Sequence, residues 1–179
     1  MLEKIMLELV SIRLQIREVT ANDLPTLLLV YTSNPEFVRQ NEGSEGEIGR
    51  YDLARWQRDW HILQMMPGSH RLGCYLKVDN TPVGLIDFLE ENQDDGKPWI
   101  GTLIIHKNFQ RQGLGTEAFQ CFINHFRQHT AWNVLRAGVK EQNSAGLAFL
   151  KHLGFQVVCE KTDRFAGGMQ TFFVMQFTL

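Results

Sequence analysis

WIGTLIIHKNFQRQGLGTEAFQCFINHF, residues 99–126, is the stretch on which the reading of this chain turns. Its opening, WIGTLIIH over 99–106, is almost continuously apolar, as a strand covered on both faces is. Its end carries Leu114, Ala118, Cys121, Phe122 and Phe126 at helical spacing, which predicts a helix over 114–128. Between the two, Gln110-Arg111-Gln112-Gly113-Leu114-Gly115-Thr116 runs into the helix start. Helix N-termini leave backbone N–H groups unpaired and carry partial positive charge. Glycines let those groups approach a phosphate with no Cβ in the way, and Arg111 and Lys107 can add charge-assisted contacts. An anion site is one reading and an ordinary tight turn is the other. The Lys-Ser/Thr ending of a nucleotide-hydrolase loop is missing, as are the third glycine and the amino-terminal strand of a dinucleotide fingerprint.

Working outward, SIRLQIREV (11–19) alternates loosely and predicts a first strand. Asn22 and Asp23 supply helix-start chemistry for the apolar run 24–31. NEGSEGEIG (41–49) reads as a loop, and Leu53, Trp56, Trp60 and Leu63 predict a helix over 51–65, ended by Pro67-Gly68-Ser69. RLGCYLKV (71–78) and VGLIDFLE (83–90) read as an antiparallel hairpin across Asp79-Asn80-Thr81-Pro82. The acidic loop 91–98 leads into the strand at 99. After the central helix come a strand over 133–139, a helix over 143–152 and strands over 155–161 and 169–178. The sum is a mixed α/β (α+β) domain of six to seven strands with about four helices interleaved.

The chain has 179 residues, 44% of them hydrophobic, with twelve Phe and 21% charged. That suits one domain with a proper apolar core and excludes a disordered chain. No run approaches the ~20 apolar residues of a membrane span. Eighteen basic against twenty acidic residues leave a net charge of −2, which argues against nucleic acid as a partner. Cys74, Cys121 and Cys159 are scattered and form no CxxC pattern, so they read as reduced residues of a cytoplasmic protein. The first ten residues, MLEKIMLELV, place Leu2, Ile5, Met6, Leu9 and Val10 on one helical face. They are read as a short amphipathic helix or an ordered arm preceding a single domain over 11–179. The run is too short and acidic for a secretory signal, and Met6 is an alternative start.

Gln110-Arg111-Gln112-Gly113-Leu114-Gly115 resembles the Q/R-x-x-G-x-G/A signature of the GNAT family of N-acetyltransferases, placed directly after the strand that precedes it there. The segment from Asn143 through Lys151 to Gly154-Phe155 resembles a second family motif, and the order of elements matches over 11–178. The resemblance implies a GNAT fold, with a twisted, mostly antiparallel sheet splayed between its fourth and fifth strands. It implies acetyl-CoA as co-substrate, with its pyrophosphate on the N–H groups of residues 111–116 and Gln110 shaping the loop entry. It also implies pantetheine pairing along Leu103, Ile104 and Ile105, as an added strand does. One N–H at the splay would then serve as an oxyanion donor. Asn143 matches an asparagine that contacts the pantetheine or the acetyl-bearing end, and its chemistry equally suits a helix N-cap.

Two departures bear on mechanism. Where family members often place a glutamate base, this chain has Trp99; Asp87 and Glu90 are the nearest carboxylates, on opposite faces of their strand if the alternation holds, with His106 a further option. Each of the two carboxylates also reads as a solvated charge at a loop edge. Where many members carry a tyrosine acid, this chain has Leu150. The implied activity is direct acetyl transfer to a primary amine, of a small molecule or a peptide, in a ternary complex. The rival is a non-catalytic acyl-CoA-binding module. Glu42, Glu45, Glu47 and the cluster Glu90, Glu91, Asp94, Asp95 would attract a cationic acceptor if they rim the cleft. Trp56 and Trp60 read as a core stripe that can also wall the acceptor pocket. His125 and His129 lack a third ligand, so no metal site is read. The Phe-rich final strands leave room for a strand-mediated homodimer.

Overall fold

The alternation of Leu14, Ile16 and Glu18, all buried, makes 14–18 a strand, but the preceding residues do not continue it. The computed structural model describes residues 7–42, 51–165 and 168–179. Within it, β1 (Glu8–Val10) pairs antiparallel with β2 (Leu14–Glu18), and residues 11–13 form the turn between them. The Ser11 hydroxyl closes that turn by accepting the Leu14 N–H at 3.1 Å. The strand read over 11–19 is therefore β2 preceded by a turn, and with residues 8–10 it makes a hairpin. Leu9 is buried at 4% exposure while Val10 and Ile12 stand out at 60% and 89%, a two-residue period where a helical face was expected. Residues 8–10 take the form of an ordered strand; residues 1–6 of that arm lie outside the described residues, as does most of the loop at 41–49.

The other strands are β3 (Ser69–Leu76), β4 (Pro82–Leu89), β5 (Trp99–Ile105), β6 (Val134–Lys140), β7 (Gln156–Phe165) and β8 (Gly168–Thr178). They form one sheet in the order β1-β2-β3-β4-β5-β6-β8-β7, and β1 raises the count to eight from the six or seven expected. Every neighbouring pair is antiparallel except β5 and β6. Among the described residues the α-helices are α1 (Leu24–Thr32), α2 (Pro35–Glu42), α3 (Leu53–Met65), α4 (Leu114–His129) and α5 (Ser144–Leu153). The fifth helix relative to expectation is α2. Asn34-Pro35 opens it, because proline at a first helical position loses only an N–H that would be unpaired anyway.

Two cores lie on the two faces of the sheet. On one, Phe88 meets Phe122 and Phe126 of α4 edge-on at 5.0 and 5.2 Å, and Trp132 stacks on Phe126 at 4.4 Å. Leu150 of α5 joins the same cluster. On the other face α1, α2 and α3 bury Leu27, Val38 and Trp56 against Leu85 and Ile104. Both faces of β4 and β5 are thus covered, which accounts for their nearly unbroken apolar sequence.

If β1 belongs to this cooperative unit, Leu9→Ala should cost about 2–5 kcal/mol, as a buried leucine truncation does. Urea denaturation measures it; a change under about 0.5 kcal/mol would place the strand outside the unit.

Candidate coenzyme and acceptor site

The turn between β5 and α4 is built around two left-handed residues. Arg111 has φ +62° and Gly113, the residue before the helix, has φ +78°. No side chain caps α4 among the described residues, so its first N–H groups point forward from a helix end with positive potential. The two glycines have different tasks. Gly113 supplies the left-handed conformation, whereas a Cβ on Gly115 would stand 2.9 Å from the Phe149 ring and 3.4 Å from Ile105. Gly115 is thus required for close packing of α5 and β5 on the helix start, a role the sequence reading did not separate from ligand approach.

Gln110 holds the entry to this turn. Its Nε2 donates to the Ile105 carbonyl at 2.9 Å and to Asn34 Oδ1 at 2.6 Å, and Asn34 Nδ2 reaches the same carbonyl at 3.2 Å. Ser33 Oγ accepts the Lys107 N–H at 3.0 Å. Ser33 and Asn34 were not singled out in the sequence. The signal that could have found them is Asn34-Pro35, a joint between two helices whose polar side chains must find partners.

Beyond that turn the sheet opens. β5 and β6 are registered only at Trp99↔Arg136 and Ile100↔Ala137, and then diverge. His106 N–H bonds Val83 on the β4 side, so by alternation the N–H and C=O groups of Leu103 and Ile105 face the gap. The Ile105 carbonyl is already held there, which leaves Leu103 presenting both of its groups. α2 spans the gap on one face: Asn34 before it holds β5, and at its far end the Gln40 carbonyl accepts from Lys140 of β6. At the closed end Asp95 accepts from Trp99 Nε1 at 3.0 Å, Arg136 Nη1 at 2.7 Å and the Lys97 N–H at 2.9 Å. Burial works against ionisation of Asp95, but these donors outweigh it and hold its pKa below the ordinary carboxylate value.

This cradle and gap coincide with a match to the acetyltransferase (GNAT) domain over residues 13–156. The chain belongs to the GNAT family. Acetyl-CoA is that family's co-substrate. Solved structures agree on the fold. An acetyltransferase from Thermus thermophilus is 23% identical with TM-score 0.70, over 96% of this chain and 100% of that one. A Salmonella typhimurium acetyltransferase that modifies the N-terminal serine of a 50S ribosomal subunit protein is 14% identical with TM-score 0.72, covering 94% and 96%. Spermidine/spermine N-acetyltransferase from Vibrio cholerae is 14% identical with TM-score 0.66, covering 93% and 92%. No curated protein matches the chain in sequence.

In this GNAT chain the two candidate carboxylates lie on opposite sheet faces. Glu90, just past the end of β4 with its side chain 52% exposed, is the solvated loop-edge charge the sequence suggested, whereas Asp87 is not. Asp87 stands opposite Thr102, beside the diverging part of β5, but is only 9% exposed. Arg71 Nε and Nη2 occupy its two oxygens at 2.7 and 2.9 Å. Arg71 is 7% exposed and lies over the Trp56 ring at 4.2 Å, near Tyr31 and Tyr51. Burial disfavours its charge, yet the charge of Asp87 prevails and raises the guanidinium pKa. Trp56 is therefore core and partner to a buried ion pair. Glu90 sits on the α4 face, 3.2 Å from His70 Nε2, while the buried Glu18 lies 2.6 Å from Nδ1.

Asn143 accepts the Gly146 N–H at 2.9 Å, so it caps α5 at the edge of the gap. Leu150 is buried in the core on the α4 face. His106 accepts the Asn108 N–H at 3.2 Å and closes the start of the connection. His125 and His129 stack at 4.3 Å, and no group of three metal-ligating side chains occurs among the described residues. Burial raises the Cys74 thiol to about 12, leaving it a neutral core group.

Asp87→Asn should leave Arg71 buried without its counter-charge and cost about 3–5 kcal/mol in urea denaturation. Replacing both partners by apolar residues, Arg71→Met with Asp87→Leu, should recover most of that loss.

Proposed function

We propose that this protein is an acetyl-CoA-dependent N-acetyltransferase that acylates a primary amine, on a small molecule or a peptide, by direct attack in a ternary complex. The observation that carries the reading is the adjacency of two features. The uncapped start of α4 adjoins the end of β5, and the same strand turns the backbone of Leu103 toward an open gap. A phosphate cradle and an unpaired strand segment, end to end, match a ligand with a pyrophosphate at one end and an amide-bearing arm at the other.

The residues assigned to the coenzyme are Gln110, Arg111, Gln112, Gly113, Leu114, Gly115 and Thr116 at the pyrophosphate, and Leu103, Ile104 and Ile105 beside the arm. Asn143 lies at the edge of the same gap. In the reaction the amine nitrogen forms a bond to the thioester carbon, the C–S bond breaks, and the coenzyme departs as thiolate. A thiol of pKa ~8.5 lies about 1.5 units above neutrality, roughly 2 kcal/mol, so departure needs no dedicated acid. This accommodates Leu150. Both oxygens of Asp87 are committed to Arg71 and Glu90 lies on the other face, so the ammonium proton of the acceptor passes to solvent in this reading.

The Vibrio cholerae and Salmonella typhimurium proteins are named for a polyamine and for an N-terminal serine, which supports a primary amine as the acceptor group. Of the acidic cluster at 90–95, Glu90 and Asp95 are engaged by His70 and Arg136, so attraction of a cationic acceptor would fall to Glu91 and Asp94. No helix among the described residues is long and apolar enough to cross a membrane. The three free cysteines suit a reducing compartment such as the cytoplasm.

Thiol release from acetyl-CoA, measured with spermidine, a serine-terminated peptide and a lysine peptide, is expected for at least one amine. Coenzyme binding with no release for any amine would instead mark a binding module. Gly113→Trp adds both bulk and left-handed strain at the cradle and should weaken coenzyme A binding about tenfold or more. Unchanged affinity in calorimetry would move the phosphate site elsewhere.

A further inference from the structure

Arg13 lies outside both motifs, in the turn of the β1–β2 hairpin, yet it reaches the cradle from behind. Its Nη1 donates to the Gln112 carbonyl at 3.0 Å, and its Nη2 lies 3.5 Å from where a Cβ on Gly113 would stand. Its Nε donates to Glu117 Oε2 at 2.6 Å and its own backbone N–H to Oε1 at 2.7 Å, where Ser11 Oγ also donates at 2.7 Å. The side chain is therefore fixed at two ends, on the turn and on the first turn of α4.

Gln112 lies between the two left-handed residues, Arg111 and Gly113. A trans peptide is planar, so the Gln112 carbonyl and the Gly113 N–H point in opposite directions. Whatever holds the carbonyl on one side aims the N–H on the other. A non-glycine residue in the left-handed region is strained, and a hold on the Gln112 carbonyl restrains the neighbouring Arg111 in that conformation. There is also a charge effect. Glu117 would place a carboxylate one turn inside the helix end that receives a polyanion. Burial opposes its ionisation, but the Arg13 and Ser11 donors prevail and lower its pKa, so it stays charged and is neutralised by Arg13.

We propose that Arg13 is a positioning residue for the pyrophosphate of the coenzyme. It aims the cradle by pinning the 112–113 peptide, and it cancels the Glu117 charge. The inference rests on the coenzyme site assigned above, and it ties the N-terminal hairpin to coenzyme affinity.

The test compares wild type, Arg13→Ala and Arg13→Lys in calorimetry with coenzyme A and with 3′-dephospho-coenzyme A, and in NMR titration with pantetheine, which has no pyrophosphate. Arg13→Ala should weaken both pyrophosphate ligands in parallel, by about tenfold, and move pantetheine affinity less than about twofold. Arg13→Lys, which keeps the charge but not the two-ended grip, should fall between. Equal losses for coenzyme A and pantetheine would reduce Arg13 to a structural residue, and an unchanged coenzyme A affinity would also overturn the proposal. A wild type that binds no coenzyme A would overturn the coenzyme site itself, a distinct result.

Discussion

The parting of β5 from β6 is the constraint on which the rest of the site depends. Each strand is secured on its other side. β5 is registered to β4 from Trp99 to Ile105, and β6 to β8 from Val134 to Lys140. The sheet can therefore open between them without losing either strand. A gap of this kind exposes backbone groups, and exposed polar groups in a covered region must find partners. The Ile105 carbonyl finds Gln110 and Asn34, the closed end is held by Asp95 on Trp99 and Arg136, and α2 bridges the opening on one face. On the β5 side, the segment around Leu103, next to the start of α4, turns its backbone groups toward the gap.

Charge in this molecule is managed locally, and the net value of −2 says little about the site. Asp87 is locked to Arg71 beneath Trp56, Glu18 and Glu90 flank His70 on the other face, and Asp95 is shared among three donors. Each of these carboxylates has a neighbour from a different strand or loop. Such pairs hold strands in register, and in the buried Asp87–Arg71 pair removing one partner costs far more than the pair contributes. The chemistry proposed for the site makes modest demands by comparison. A neutral amine and a good leaving group need orientation more than they need a strong acid or base.

Much of the fold was legible because its signals are local. The apolar run at 99–105, the helical spacing after Gly113 and the Asn143 cap all depend on residues close in sequence, and the structure places each element within a residue or two of its reading. The hairpin at 8–18 was not legible. Five apolar residues in the first ten satisfy a helical face as well as a strand, and only burial of Leu9 with exposure of Val10 and Ile12 decides the period. α2 was missed because its sequence, PEFVRQNE, has too few apolar positions to show a stripe.

The sequence by itself determined the strand–turn–helix unit with its two glycines, and through it the family. Those features follow from backbone rules that act over a few residues: the freedom of φ at glycine, the open N–H groups of a helix start and the periods of strand and helix. Only the tertiary structure decided which side chains serve that unit. Arg13 lies about a hundred residues before the turn it grips, Asn34 some seventy before the carbonyl it holds, and Arg71 sixteen before the aspartate it neutralises. Hydrogen bonds and ion pairs of that kind are set by how the chain returns on itself, and no period or spacing in the sequence records them.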